Sequence, residues 1–354
     1  MENQGTLSVE PYDRLVIATG ARARTQGTDP GKFSNVFTMN DLGDARRISE
    51  FVAQQRPRSA AVVGGGYIGL EAVESFASLG IETTLVHRRE DLHRSFEQEV
   101  SDIIKRTLSK KGVSLRLGRP VAGLEQRGNK AVVLLDNGGL EFDAVLFAMG
   151  VEPNSELAAD AGIELGANRA VRVNEFMETS AQGVYAAGDC ATARMSVFGL
   201  EVHAPLALKA NKQGLFAGAN IAGTRRPFAG VLNTAITKIF DLGVARTGLS
   251  FDHAVELGLE PENILVKSRD RARYYPGSSP LDSLVIVSRK DRRVLGAQLA
   301  GRIESVKRID VYATAVFNCM TADQVFDLDL AYAPPFSPVY DPVLLAARIA
   351  RKTG

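Results

Sequence analysis

A glycine-rich turn between an apolar strand and a helix is the feature that most constrains the fold of this 354-residue chain. The turn follows the apolar run at residues 59–63, and its residues are Gly64, Gly65, Gly66, Tyr67, Ile68 and Gly69. A helix to residue 79 and a strand at residues 81–86 complete a β-α-β unit of about 30 residues. The first glycine of such a turn allows a sharp bend, the second admits a pyrophosphate, and the third lets helix and strand pack closely. The sequence therefore predicts a Rossmann unit that binds a dinucleotide at its helix N-terminus.

The residues after the second strand indicate which dinucleotide is bound. Units that bind NAD usually place an Asp or Glu there to accept hydrogen bonds from the ribose, but this chain has His87, Arg88 and Arg89. Guanidinium groups bind a 2′-phosphate that a carboxylate would repel. We therefore predict NADPH in preference to NADH. The alternative is that Arg88 and Arg89 form a solvated surface pair.

Two further side chains fall near the expected nicotinamide end. Tyr67 is large for a phosphate-binding loop, which suggests either a lid over a ring site or a packed core tyrosine. Glu71 follows the third glycine by two residues and either orients the nicotinamide carboxamide or complements the helix dipole.

Composition narrows the class of protein. The length predicts two or three domains, and 42 Lys and Arg against 41 Asp and Glu argue against a general nucleic-acid binder. We expect no membrane span, because no apolar run approaches about 18 residues, and without a secretory signal we expect a cytoplasmic protein. Cys190 and Cys319 form no C-x-x-C pair, so neither a disulfide framework nor a metal site is indicated. Cys319 is expected in the core of an apolar helix.

The rest of the chain has an α/β pattern up to about Pro227. After it, strands and then a helix follow in separate segments, which is an α+β pattern. We predict strands at 13–20, 113–117, 144–150, 183–189, 284–287 and 294–299, helices at 41–56, 97–111, 205–221 and 305–320, and a hairpin at 130–141 around Asn137-Gly138.

Four stretches in order resemble the pyridine nucleotide-disulfide oxidoreductase family, and within it the coenzyme A disulfide reductase and NADH oxidase branch. They are Gly64 to Glu71, Ala148 to Asn154, Val184 to Cys190, and Ala331 to Pro338. The resemblance covers essentially the whole chain. It implies a flavoprotein with two dinucleotide-binding domains of Rossmann type and a C-terminal α+β dimerisation domain.

The resemblance also implies domain bounds and a homodimer. Residues 1–40 and 151–226 would form an incomplete FAD-binding domain, residues 41–150 the NAD(P)H-binding domain, and residues 227–354 the dimerisation domain.

Cofactor contacts follow from the same resemblance. Asp189 resembles the carboxylate that binds the FAD ribityl chain, the alternative being a buried helix cap. Tyr67 would be the ring that moves aside for the nicotinamide, and Glu71 its carboxamide contact. The other implied cofactor-binding residues are Thr19 and Gly20 near the adenine half of FAD, Pro205, Leu206 and Ala207 at a helix start facing the flavin pyrimidine, and the strand-end glycines Gly150 and Gly188.

Two tyrosines of the last domain are candidate catalytic residues. The segment Tyr274 to Gly277, which contains Tyr275, and Tyr332 resemble positions that reach the active site of the partner subunit. A phenol there would donate a proton to a leaving thiolate. The alternative is a pair of packed interface tyrosines.

The sequence departs from the family at its beginning, where a first FAD-binding glycine motif and a redox cysteine are expected. We expect N-terminal truncation, the other explanation being a real loss of the FAD half-site. Cys190 directly follows Asp189 and has no expected redox role. The predicted function is an FAD-dependent oxidoreductase that passes hydride from NADPH to FAD and then to a disulfide, persulfide or oxygen acceptor. The alternative is a catalytically silent module that binds NADPH or mediates dimerisation.

Overall fold

The computed structural model describes residues 2–3, 6–7, 9–25, 28–92, 95–136 and 138–351. The chain forms two compact units. The first consists of Met1–Arg22 and Val151–Val231, and the second of Ala23–Gly150 and Leu232–Gly354.

The elements are numbered in chain order. The strands are β1 (Glu2–Asn3), β2 (Thr6–Leu7), β3 (Leu15–Ile17), β4 (Ala21–Ala23), β5 (Val36–Thr38), β6 (Ser59–Val63), β7 (Glu82–Val86), β8 (Ser114–Arg116), β9 (Gly123–Arg127), β10 (Lys130–Leu135), β11 (Gly138–Phe142), β12 (Ala144–Phe147), β13 (Val151–Pro153), β14 (Val184–Ala186), β15 (Ala193–Arg194), β16 (Glu201–Val202), β17 (Ala235–Ile239), β18 (Leu242–Gly248), β19 (Pro261–Arg269), β20 (Pro280–Ser288) and β21 (Val294–Arg302). The α-helices are α1 (Leu42–Gln55), α2 (Tyr67–Ser78), α3 (Gln98–Lys110), α4 (Glu156–Asp160), α5 (Ala207–Ile221), α6 (Phe251–Glu256), α7 (Ile309–Phe317), α8 (Ala322–Phe326) and α9 (Pro342–Ala350). Three 3₁₀ turns lie at Pro30–Lys32, Ala167–Arg169 and Ser305–Arg308.

A five-stranded parallel sheet with the order β5-β12-β6-β7-β8 carries the glycine turn. The inner strands β12 and β6 are almost entirely apolar, as is typical of parallel strands whose two faces are covered. Leu70, Val73 and Phe76 of α2 are buried at helical spacing against one face. Asp41 caps α1 by accepting a hydrogen bond from the backbone N–H of Asp44. The predicted β-α-β unit is confirmed.

The predicted hairpin is the antiparallel pair of β10 and β11. Asn137 of its predicted turn lies outside the described residues. Strand β9, which the sequence pattern did not predict, pairs with the other side of β10.

The C-terminal part of the second unit is built on an antiparallel sheet with the order β17-β18-β21-β20-β19. The predicted helix at 305–320 is instead a 3₁₀ turn followed by α7, which ends at Phe317. The prediction that Cys319 lies in the core was wrong: Cys319 is exposed, with φ of 52°. The backbone N–H of Met320 donates to Ala315 O, so the chain turns out of the helix in a left-handed C-terminal cap.

The first unit contains the parallel pair of β3 and β14. Ile17, Val184 and Ala186 are buried between this pair and its neighbours. Cys190 is also buried, and its thiol donates to the carbonyls of Ile17 and Ala187. No helix among the described residues is both long and apolar enough to span a bilayer.

Candidate nucleotide-binding sites

The glycine turn is closely packed at its first and third glycines. Gly64 has φ of 117°, and a Cβ added there would lie 2.3 Å from Ala148 O. A Cβ on Gly69 would lie 1.9 Å from Gly64 O. Both positions exclude a side chain in this arrangement, as the motif predicts.

The second glycine faces open space. Gly66 is the N-cap of α2 and makes no side-chain capping hydrogen bond. A Cβ added there would have nothing within 4 Å among the described residues. The start of α2 therefore has no capping side chain and an open space beside Gly66, and a helix N-terminus in such surroundings can bind a phosphate.

A cavity of about 330 Å³ lies at this turn. It contains the predicted residues Gly64, Gly65, Gly66, His87, Arg88 and Gly150, together with Arg24, Val63, Val86, Arg119, Pro120, Val121, Ala148 and Met149. Arg119 is ion-paired with Asp136 at 3.0 Å. The structure thus brings together the turn, the strand end and Gly150. Arg89, Tyr67, Ile68, Gly69 and Glu71 do not line this cavity.

His87 braces the turn from the end of β7. The backbone N–H of Gly65 donates to its Nδ1 at 3.1 Å. Burial lowers the pKa of His87, the charges of Arg88 and Arg89 lower it further, and the backbone of Asp91 opposes this shift. The ring is therefore neutral at pH 7, and since Nδ1 accepts a hydrogen bond, its proton is assigned to Nε2.

Tyr67 begins α2 and packs edge-on against Phe96, with ring centroids 6.2 Å apart. Burial raises the pKa of Tyr67 to about 12, against the opposing charge of Arg246. The phenol is therefore protonated at pH 7. Both a movable lid and a packed core tyrosine remain compatible with this position.

Glu71 lies one helical turn after Tyr67 and contacts the antiparallel sheet. Its Oε1 accepts a hydrogen bond of 2.6 Å from Thr237 Oγ1 on β17. Together with Ile68 it borders a separate apolar groove of about 680 Å³ between α1 and α2. Thr237 was not found from the sequence, because nothing local links β17 to a helix more than 150 residues earlier.

In the first unit, the predicted FAD-contact residues lie where β3 and β14 end. The two strands are parallel neighbours, so Thr19 and Asp189 follow them at the same sheet edge. Thr19 Oγ1 donates to Asn154 O, and the Asn154 side chain donates to Thr19 O at 2.9 Å. The N–H of Asn154 also donates to Gly20 O at 2.9 Å. These bonds join Thr19 and Gly20 to the end of the stretch Ala148 to Asn154, one of the four that carry the family resemblance.

Asp189 offers an acceptor that the described residues leave unused. Its Oδ1 is buried and has no hydrogen-bond partner among them. An unsatisfied buried oxygen is costly, so this atom fits the predicted role of accepting a hydrogen bond from the ribityl chain of FAD. Helix α5 begins at Ala207, after Pro205 and its N-cap Leu206, and has no side-chain capping bond. Its first N–H groups are thus available to an anionic group.

Two residues of α5 that were missed from the sequence support the loop at Gly188. Lys209 is buried, and its Nζ donates to Gly188 O at 2.8 Å and to Ala191 O at 3.1 Å. Gln213 Oε1 accepts from the Gly188 N–H at 3.2 Å. Burial lowers the pKa of Lys209, with Asp189 opposing the shift. The sequence does not distinguish them from Lys212, a third long polar side chain of the same helix, which is exposed.

The predicted catalytic tyrosines lie on segments that the structure brings together. The N–H of Ala272, just before the Tyr275 segment, donates to Pro334 O near Tyr332 at 3.2 Å. Arg308, also missed from the sequence, donates from Nη2 to Asp270 O and to Phe336 O at 2.9 and 2.7 Å. Tyr275 is half-buried and Tyr332 is exposed. Neither lines the cavity at the glycine turn.

Comparison with known proteins gives matches over both parts of the chain. The family model described as pyridine nucleotide-disulphide oxidoreductase matches residues 2–214, and the dimerisation-domain model of the same description matches residues 234–342. A protein of Pyrococcus horikoshii named NAD(P)H coenzyme A polysulfide/persulfide reductase is 38% identical over 351 residues, which are 99% of this chain and 78% of the relative.

Two solved structures are similar over most of the chain. Reduced Bacillus anthracis CoADR-RHD has a TM-score of 0.92 and 34% identity, covering 97% of this chain and 62% of that one. A NAD-dependent persulfide reductase from A. fulgidus has a TM-score of 0.91 and 38% identity, covering 96% of this chain and 63% of that one. The chain therefore spans less than two thirds of either solved relative. The predicted fold class is confirmed.

Proposed function

Because the chain belongs to the pyridine nucleotide-disulphide oxidoreductase family, we propose that it serves hydride transfer from NADPH to FAD, with the electron pair passing on to a disulfide, persulfide or oxygen acceptor. The predicted family and branch are thereby confirmed, and the family implies FAD and NAD(P)H as cofactors. The match to the dimerisation domain supports a homodimer.

The observation that carries the proposal is the open space in front of Gly66. The turn is packed where a side chain would clash, and it is open only where a phosphate must approach the helix N-terminus. Packing alone does not account for a glycine at this position, because a side chain there would meet nothing within 4 Å among the described residues. The cavity at the turn, about 330 Å³, would hold the adenosine and phosphate portion of the cofactor.

The preference for NADPH rests on the charge of that cavity. Arg24, Arg88 and Arg119 line it, and no Asp or Glu does so within the described ranges. Arg119 forms an ion pair with Asp136. Arg88 is exposed, and its guanidinium is the one nearest the end of β7. The solved relative from A. fulgidus is named NAD-dependent, so family membership alone does not decide between the two nucleotides. The arginines support a 2′-phosphate.

In the first unit, Asp189 would accept a hydrogen bond from FAD, and Thr19 and Gly20 would lie near its adenine half. The start of α5 would face the flavin pyrimidine, where the helix dipole favours negative charge. Lys209 would hold the Gly188 loop in position. Tyr275 and Tyr332 would donate a proton to the acceptor, the role that the family resemblance implies for them.

Replacement of Arg88 tests the choice of nucleotide. In Arg88→Glu the dissociation constant of NADPH should rise about 50-fold, because an attraction to the 2′-phosphate becomes a repulsion worth more than about 2 kcal/mol. That of NADH should rise less than about threefold. Fluorescence titration of the purified full chain measures both. Lys110→Glu is the matched control, since Lys110 is exposed at the end of α3 and does not line the cavity. Equal losses for the two nucleotides would remove the argument for NADPH.

Flavin binding is tested separately. After incubation with FAD and gel filtration, the chain should retain the flavin absorbance, and Asp189→Leu should reduce it while NADPH binding is unchanged. A chain that binds NADPH, retains no flavin and oxidises no NADPH would support the alternative of a silent nucleotide-binding module.

A further inference from the structure

We propose that Thr237, on β17 of the antiparallel sheet, is a positioning residue for Glu71 and through it for the nicotinamide end of the cofactor. This inference rests on the proposed binding of NADPH at the glycine turn. It assigns a role in cofactor recognition to a strand that lies outside the nucleotide-binding fold itself.

The contact between the two residues is short, and it joins a buried threonine to an exposed glutamate. Thr237 is 7% exposed, and its Oγ1 donates to Glu71 Oε1 at 2.6 Å. The other carboxylate oxygen, Oε2, has no hydrogen-bond partner among the described residues. A glutamate side chain on a helix surface ordinarily samples several rotamers. With Oε1 held, the direction of Oε2 is fixed.

The helix that bears Glu71 is fixed to the same sheet at a second point. Glu74, three residues on, accepts a 2.8 Å hydrogen bond from the backbone N–H of Phe240 and pairs with Lys238. Residues three and four apart share one face of a helix, so Tyr67, Glu71 and Glu74 present one face of α2. Thr237 therefore acts from a rigid support and not from a mobile loop.

The free oxygen has a chemical match in the nicotinamide carboxamide. A carboxylate oxygen accepts hydrogen bonds only, and the carboxamide NH₂ offers two donors. Glu71 lies one turn along α2 from the phosphate-binding turn, and the family resemblance assigns it to the ring end of a bound dinucleotide. Without the Thr237 hydroxyl, Glu71 would rotate among solvated rotamers, and ordering it on binding would cost affinity.

Two variants and two ligands separate this role from a merely structural one. Thr237→Val keeps the side-chain shape and removes the donor, whereas Thr237→Ser keeps the donor. The ligands are NADPH and adenosine 2′,5′-bisphosphate, which has the 2′-phosphate and 5′-phosphate but no nicotinamide. Thr237→Val should weaken NADPH binding about tenfold, the loss expected for one hydrogen bond to a charged group. Its affinity for the bisphosphate should be unchanged, and Thr237→Ser should match wild type with both ligands.

A double-mutant cycle completes the test. Glu71→Gln alone should weaken NADPH binding, and adding Thr237→Val should cause little further loss if the two residues act as one unit. Wild-type NADPH affinity in Thr237→Val would overturn the proposal, as would an equal loss for both ligands, which assigns Thr237 a structural role. If the wild-type chain bound neither ligand, the proposed function itself would fail, and this inference with it. Thermal unfolding of each variant reports whether it folds.

Discussion

Alanine substitutions at Gly64 and Gly66 should distinguish the glycine required for packing from the glycine required for cofactor binding. Gly64→Ala and Gly66→Ala add the same methyl group two residues apart, but the structure places the two methyls in opposite surroundings. At Gly64 the Cβ would meet Ala148 O at 2.3 Å, and at Gly66 it would meet nothing within 4 Å of the described residues. The first variant should lose stability and the second should lose the cofactor.

The stability effects follow from backbone conformation and contact. Gly64 has φ of 117°, which costs a residue with a side chain about 1–3 kcal/mol, and relieving the overlap with Ala148 costs about 1–3 kcal/mol more. Gly64→Ala should therefore lower the free energy of unfolding by about 4 kcal/mol. Gly66 has φ of −84° and ψ of −175°, which any residue adopts. There, a gain of about 0.4–1 kcal/mol from the unfolded state and the weaker capping by Ala, worth about 1 kcal/mol or less, nearly cancel.

The binding effects run the other way. In Gly66→Ala the methyl group occupies the space through which a phosphate reaches the N–H groups of α2. A dissociation constant about 100-fold higher, or about 2.8 kcal/mol of lost binding free energy, is expected for NADPH.

Urea denaturation gives the free energy of unfolding of each variant, and fluorescence titration gives the NADPH affinity of Gly66→Ala. The reasoning would be refuted if Gly66→Ala bound NADPH as wild type does, or if it were destabilised as much as Gly64→Ala. The first result would mean that no phosphate lies at Gly66, and the second that the space beside Gly66 is not open.

Three further outcomes are expected. An NMR pH titration should give a pKa of His87 below 6.5, and Arg88→Ala should raise this pKa. Because the pKa is lower in the folded state than in the unfolded state, the contribution of neutral His87 to the free energy of unfolding is present above pH 6.5 and is lost as the pH falls below it. Lys209→Met should lower the free energy of unfolding by about 2 kcal/mol in urea, since Ala191 O loses its donor and Gly188 O keeps only the backbone N–H of Ala191. Arg308→Ala should lower it by about 3 kcal/mol, because it leaves the partly buried Asp341 without its 2.9 Å partner, and Arg308→Lys should recover part of that loss.

The turn and its flanking elements could be predicted from the sequence because their determinants are local. Strand, turn and helix are adjacent in the chain, and the spacing of the glycines is enough to predict the structural role of each one. The same holds for His87 and Arg88, which simply follow β7. The structure adds to them the cavity that they line and the hydrogen bond from the Gly65 N–H to His87 Nδ1.

Other residues of the site could not be predicted, because they are distant from the glycine turn in sequence and only the tertiary fold brings them close to it. Arg24 and Arg119 reach the cavity from segments on either side of the β-α-β unit. Thr237 meets Glu71 across 166 positions. Their residue types carry no signal, since arginine and threonine are ordinary surface residues.

Cys319 shows a different limit. The apolar spacing of residues 305–320 continues past the point where the helix ends, because periodicity records burial and not hydrogen bonding. The backbone N–H of Met320 donates to Ala315 O, and Cys319, the residue before Met320, has a positive φ and is exposed. A left-handed C-cap at a residue other than glycine has a weak sequence signature.

The two ends of the proposed nucleotide site are supported by different parts of the second unit. The phosphate end depends on the parallel sheet and its glycine turn, whereas Glu71 depends on β17, which pairs with β18 in the antiparallel sheet. Gly66→Ala should therefore weaken NADPH and adenosine 2′,5′-bisphosphate together, because both place a 5′-phosphate at α2. Thr237→Val should weaken NADPH alone. A strand of the dimerisation domain would then set how the reactive ring is held, and substitutions along β17 would change nicotinamide recognition without touching the fold that binds the rest of the molecule.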